Sequence, residues 1–237
     1  MLAGVNIALM ESSARGKQGY HHGDLRNALI TAAAELAAKG GPQSVTIRAA
    51  AREVGVTPTA AYRHFGGHEE LLGAAKERAV EELTRAMHAE VDARPTSTGD
   101  EVHDALARLG ALGRGYLVFA RAEPGLFRTV FSPDGPVLSP PSEHDGNGPF
   151  TMLIEAIDEL VRVGYLSRER RPMTELASWA VIHGLATLLD GPLREVPEDM
   201  RDEMIVRSML VLVHGLRGGG FSPEIEELLA TELMSRP

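Results

Sequence analysis

Apolar residues recur along most of the chain at the three-to-four spacing of an amphipathic helix, not in the alternation of a half-buried strand. Leu25, Leu29, Ala32, Ala33 and Leu36 form one stripe and predict a helix over Gly23–Lys39, closed by Gly40-Gly41 and Pro42. Thr46 is an N-cap for a short helix with Ile47, Ala50, Ala51 and Val54 on its apolar side, and Gly55 ends it. Thr57 caps the next helix, with Pro58 in its first turn, where a missing N–H costs nothing; it runs to about His64. A longer helix follows from Glu69 to about Val91. Arg94–Gly99 reads as a linker, Asp100–Ala122 as a helix stopped by Pro124, and Leu126–Phe131 as a short aromatic helix. Ser132–Pro149, with five prolines and three glycines, is the clearest loop. Helices are predicted over Phe150–Val163, Pro172–Leu189 and Pro197–Leu216, then a glycine break at 218–220 and a last amphipathic segment, Pro223–Leu233. With no strand pattern and no repeat, the fold class is all-α. The expected division is a flexible arm (1–19), a small N-terminal helical domain (20–67) and a larger helical domain (68–237).

Composition narrows the chemistry. The 237 residues include no cysteine, which removes disulfides, thiolate metal sites and thiol nucleophiles and fits a cytoplasmic location. Met1–Met10 is mildly apolar but lacks a basic leader, so it is not read as a signal peptide; no apolar run is long enough for a membrane span. The net charge is −9, yet residues 1–67 carry seven basic and four acidic side chains, a net +3, leaving −12 on the remaining 170. A basic head on an acidic body fits a localised nucleic-acid site. No nucleophile elbow, phosphate loop or catalytic triad stands out, so neither an enzyme nor a cofactor is expected. His21 and His22 lack a third ligand at useful spacing, and Glu155, Asp158 and Glu159 fit a solvated helix face; no metal is expected.

Thr46 to Phe65 is the segment that carries function. Two short helices around a glycine turn make a helix-turn-helix unit. The second helix is narrow at its start, where Thr57, Pro58, Thr59, Ala60 and Ala61 allow close approach to the floor of a major groove. Hydroxyl and methyl groups there suit base edges, and the free N–H groups of the helix start suit phosphate. Tyr62 and His64 lie where a DNA backbone would pass, and Thr46 is a further phosphate candidate; Arg48 and Arg63 complete the set.

In order along the chain, Ile30 to Gly40, Thr46-Ile47-Arg48, Val54-Gly55-Val56, Ala61-Tyr62-Arg63-His64-Phe65 and Glu69-Glu70-Leu71-Leu72 resemble the DNA-binding domain of the tetracycline-repressor (TetR) family over Tyr20–Leu72. The resemblance implies a homodimer on double-stranded palindromic operator DNA, repression as the default, and a variable C-terminal domain that binds a small-molecule effector. His68 stands where the family often has a phosphate-contacting lysine. Tyr20-His21-His22-Gly23-Asp24-Leu25 resembles the domain start of a subset, placing Tyr20 or His21 near the DNA backbone. Further on, Trp179-Ala180-Val181-Ile182-His183-Gly184 is similar to a Trp-x-x-x-His-Gly pattern of one subgroup, as are Pro124-Gly125-Leu126-Phe127 and Val130-Phe131.

For the C-terminal part, Trp179 and His183 share a helical face. They fit either a packed core or an effector pocket. Phe119, Phe127, Phe131 and Met152 carry the same two readings, since a cavity between helices is itself lined by apolar residues. Dimerisation is expected through Pro172–Leu189 and Pro197–Leu216, whose apolar runs exceed one buried stripe. The rival readings are a helical ligand-binding protein without DNA binding and a helical enzyme.

Overall fold

The computed structural model describes residues 22–94, 97–134 and 148–218, with isolated positions beyond. The predicted arm, Tyr20 and His21, most of the proline-rich loop and most of the last segment lie outside the described residues. Those residues build nine α-helices and no strand: α1 (His22–Gly40), α2 (Ile47–Val54), α3 (Pro58–Ala61), α4 (His68–Asp92), α5 (Glu101–Ala122), α6 (Pro124–Val130), α7 (Pro149–Arg162), α8 (Thr174–Asp190) and α9 (Glu198–Arg217). Short 3₁₀ turns occupy Pro42–Ser44 and Arg168–Arg170. The all-α expectation holds, and most boundaries fall within one or two residues of those read from the pattern.

Local chemistry explains the boundaries. Thr46 Oγ1 accepts from Ala49 N at 3.1 Å, and Thr57 Oγ1 accepts from Ala60 N at 3.2 Å. Each cap satisfies one of the orphan donors at a helix start and is worth ~1 kcal/mol. Gly55 takes the left-handed conformation (φ 78°), and Val56 N donates to Ala51 O at 2.9 Å, which closes α2 and turns the chain into α3. Asp100 caps α5 by accepting from Val102 N and His103 N. Asp104 then gathers the end of the linker, accepting from Thr98 N and the Ser97 and Thr98 hydroxyls, and these bonds hold its carboxyl well below the usual carboxylate range.

The second helix of the helix-turn-helix is shorter than the sequence suggests. The helix proper ends at Ala61; beyond it Arg63 N reaches Ala60 O and His64 N reaches Ala61 O in a tighter turn, while Phe65 N still reaches back to Ala61 O. Phe65 is fully buried beneath this turn. Gly66-Gly67 follows and ends the segment before α4 begins at His68.

One apolar core runs from α1 to α8. At the N-terminal end Leu29, Val45, Ile47, Ala50, Ala61, Phe65, Leu71 and Leu72 pack together, and the core continues along α4 through Leu83 and Met87 into α5 and α7. Two glycines permit close helix approaches. A Cβ on Gly115 of α5 would stand 2.5 Å from Met87 Cα of α4, and one on Gly125 of α6 would stand 2.2 Å from Ala38 O at the end of α1. α6 therefore rests directly on the last carbonyls of α1. No helix among the described residues is long and apolar enough to cross a membrane.

Candidate nucleic-acid interface and effector site

The face that α2 and α3 turn to solvent is polar and basic. Ala61 and Phe65 anchor α3 in the core. Thr57, Pro58, Thr59, Tyr62 and Arg63 are exposed, as are Thr46, Arg48 and Arg52 on α2 and its cap; Ala60 and His64 are half-buried at the margin. Tyr62 is 53 % exposed, an unusual position for a large ring without a partner surface. The Thr46 and Thr57 oxygens are used as caps, but each hydroxyl hydrogen remains available to donate outward. The sequence-predicted residues thus fall on α2, α3, their caps and the turn that follows, most of them exposed.

At the start of α4, His68 is the first helical residue and is exposed, and no side chain caps this end. Glu70 bends back instead, its Oε2 accepting from Gly66 N at 2.7 Å. The guanidinium of Arg26 lies 5.0 Å from the Phe65 ring centre and 4.0 Å from Glu70, so it braces the turn between α3 and α4 from within the domain.

The second constellation lies between α5, α6, α7 and α8. The rings of Tyr116, Phe127, Phe131, Phe150, Trp179 and His183 form a connected cluster. Phe131 lies 4.5 Å from His183, 5.0 Å from Phe127, 6.0 Å from Trp179 and 6.1 Å from Tyr116 between ring centres. Phe150 meets Trp179 edge-on at 5.5 Å. Two hydrogen bonds run through the cluster: Trp179 Nε1 donates to Tyr116 Oη at 3.4 Å, and Tyr116 Oη lies 2.8 Å from His183 Nδ1. Burial lowers the pKa of His183 and raises that of Tyr116, so both are neutral near pH 7.

Phe127, Phe131, Trp179 and His183 are thus brought together as the sequence suggested. Phe119 and Met152 are buried in the core, and among the described aromatic pairs Phe119 does not join this cluster. Tyr116 and Phe150 belong to the cluster and escaped the sequence reading. Tyr116 offered a usable signal, since a tyrosine on the apolar face of α5 needs a hydrogen-bond partner inside; its partner, 67 positions away, was not legible.

The two constellations are mechanically joined through α6. Its start sits on α1 at Gly125. Its end is held by Lys76 of α4, a buried lysine whose Nζ donates to Ser132 O at 2.7 Å. Burial lowers the pKa of Lys76, and the charge of Asp134 opposes that shift. On the outside Arg128 pairs with Asp190 at the end of α8, at 2.9 Å. Among the described residues no group of three or more acidic, histidine or cysteine side chains is placed to hold a metal ion.

Comparison with known proteins meets this geometry at both ends. Residues 29–75, spanning α1 to the start of α4, match the model of bacterial regulatory proteins of the tetR family. Residues 109–213, spanning α5 to α9, match a tetracyclin repressor-like C-terminal domain. Together the two cover more than half of the chain. The chain belongs to the TetR family. A helix-turn-helix-type transcriptional repressor of Mycobacterium tuberculosis (strain ATCC 25618 / H37Rv) is 36% identical over 66 residues, 28% of this chain and 35% of the relative. The chain thus matches only about a third of the length of the curated relatives. A solved protein of unknown function from Rhodococcus sp. RHA1 is similar over 85% of this chain and 100% of its own, with TM-score 0.67 and 27% identity. A TetR variant from Acinetobacter baumannii AYE, solved in complex with minocycline, shares the fold at 20% identity and TM-score 0.54, over 84% of this chain and 99% of its own. TetR-family chains pair a helix-turn-helix domain with a helical C-terminal domain, and residues 29–75 and 109–213 correspond to those two parts.

Proposed function

We propose that this chain is a transcriptional regulator, a repressor by default, that binds a palindromic operator as a homodimer and releases it when a small apolar molecule occupies the aromatic cluster. The observation that carries the reading is the anchored and exposed α3: Ala61 and Phe65 fix it to the core while Thr57, Pro58, Thr59 and Tyr62 face solvent. Thr57 to Ala60 are the base-reading tip. Thr46, Tyr62, His64 and His68, with Arg48 and Arg63, hold phosphates and set register. Residues 20–67 form the reading head, and 68–237 the regulatory body.

Dimerisation is supported by α9. Of its 20 residues only Leu216 is buried within the chain, although the helix is rich in Met, Ile, Val and Leu. Val206, Leu210 and Val211 of α9 are exposed, as are Leu176, Val181 and Leu188 of α8. An apolar face of this extent fits a self-complementary interface between two copies.

The switch follows from the contacts of α6. An effector that spreads Phe127 and Phe131 displaces α6, which pushes on α1 at Gly125 and on α4 at Lys76. A dimer must place two reading helices about one helical turn of DNA apart, so a displacement of a few ångströms breaks simultaneous engagement. A coupling of about 1–3 kcal/mol is enough to regulate.

The test is binding of the full chain to the DNA fragment upstream of its own gene, wild type against two variants. Thr59→Ala is expected to change which fragments bind, and Tyr62→Phe to weaken all of them to a similar degree. Equal behaviour of both variants and wild type would remove α3 from the interface.

A further inference from the structure

Trp179, Tyr116 and His183 can share their hydrogens in two ways, and only one of them satisfies every buried group. The indole Nε1–H can only donate, and it donates to Tyr116 Oη. Tyr116 is 4 % exposed, so its own O–H must find an acceptor inside the protein. Among the described residues the partner at hand is His183 Nδ1, at 2.8 Å. If Nδ1 carried the hydrogen instead, Tyr116 Oη would receive two donors and its O–H would be left without an acceptor, which is the costly arrangement for a buried hydroxyl. The phenol therefore donates to Nδ1. A neutral imidazole with an accepting Nδ1 carries its hydrogen on Nε2.

That Nε2–H has no hydrogen-bond partner among the described residues. It is also not sealed in: the buried side-chain nitrogens and oxygens lacking a partner there are Ser178 Oγ and Arg201 Nε. The ring that carries it lies within 6.4 Å, centre to centre, of Tyr116, Phe127, Phe131 and Trp179. The site thus offers one oriented donor set among aromatic faces.

We infer that the Trp179–Tyr116–His183 relay locks His183 as its Nε2–H tautomer, and that this hydrogen binds a neutral carbonyl-type oxygen on an aromatic effector. The inference rests on reading the aromatic cluster as the effector site. A carboxylate suits the site less well. None of the rings around His183 brings a cation, His183 is itself neutral, and the ammonium of Lys76 serves the Ser132 carbonyl.

The test has two parts, both on the full chain. Ring nitrogen NMR, with the His183 signals identified by their loss in His183→Gln, reads the tautomer directly. NMR titration then compares acetophenone, its hydrocarbon isostere α-methylstyrene, and benzoate. Expected are a hydrogen on Nε2, and acetophenone bound about tenfold more tightly than α-methylstyrene, as for one neutral hydrogen bond whose loss leaves a donor unpaired. Benzoate should bind more weakly than acetophenone. Tyr116→Phe should mix the tautomers and bring the ketone-to-hydrocarbon ratio close to one, with the hydrocarbon still binding. Trp179→Phe removes a donor to Tyr116 Oη but leaves the phenol-to-Nδ1 bond, so it should keep the hydrogen on Nε2; if Tyr116→Phe does not fold, the wild-type tautomer and the ketone-to-hydrocarbon ratio decide the matter. A hydrogen on Nδ1 in the wild type, a preference for benzoate, or a ratio unchanged in a folded Tyr116→Phe variant overturns the inference. Equal binding of ketone and hydrocarbon overturns it and leaves the effector site standing. Binding of none of the three at millimolar concentration contradicts the effector site and the inference together.

Discussion

At the scale of single residues, the contact surface is decided by which side chains the core claims. Ala61 and Phe65 are fully buried, while Thr57, Pro58, Thr59, Tyr62 and Arg63 are exposed and Ala60 and His64 half-buried. This was legible in the sequence because small residues at the start of a helix, followed by a buried aromatic, have few other uses. His68 is the exposed first residue of α4, where the resemblance to the family led us to expect lysine. A lysine would bring a permanent, compact positive charge to that helix start. His68→Lys is therefore expected to tighten operator binding severalfold and to steepen its salt dependence by about one released counterion per subunit. Anisotropy titrations of the two proteins over a range of salt concentrations measure both; an unchanged slope would mean that position 68 does not meet phosphate.

At the scale of elements, α6 deserves the most weight. The sequence announces it as a short aromatic segment between a proline and a proline-rich loop, and that reading holds. Its role as a bridge was not legible, because it depends on what lies beneath a glycine. Gly125 allows its backbone to touch the carbonyls of Ala37 and Ala38, far away in the chain. The same holds for Lys76, a charged residue in a helical pattern that looks like a solvent position until Ser132 is seen to claim it. The over-long reading of α3 has a related cause: helical periodicity does not tell a helix from the tighter turn that follows it. The contact at Gly125 gives a direct prediction. Gly125→Ala cannot be accommodated without moving α6 off α1, since backbone atoms stand in the way. Overpacking of this kind costs about 1–3 kcal/mol. Thermal melts should show that loss. In the same variant, ligand in the aromatic cluster should release DNA less effectively than in the wild type. A variant as stable and as responsive as wild type would show that the contact transmits nothing.

At the scale of the whole molecule, one core joins a basic head to an acidic body, and α9 packs Met204, Ile205, Met209 and Leu212 against it while Val206, Leu210 and Val211 stay exposed. The excess of apolar residues in this helix was visible in the sequence; which of them stay exposed was not, since that depends on how α8 packs against α9. A Val211→Lys change places a charge on the most exposed apolar residue of this face, 74 % exposed in the single chain. It should leave the monomer folded, shift the sedimentation profile from dimer to monomer, and weaken operator binding by orders of magnitude, because a lone reading head forgoes the second half-site. A dimer that survives this change and its neighbour Val206→Lys would place the interface elsewhere.

The central claim is that this fold reads a two-fold-symmetric DNA sequence. It is tested most directly by incubating the purified full chain with fragmented genomic DNA at low salt, and sequencing what it retains. The account predicts a small set of enriched fragments that share an inverted repeat, with half-site centres about one helical turn or a multiple of it apart, and retention lost steeply as salt rises. Retention of no sequence above background, at low salt and without any effector, would contradict it.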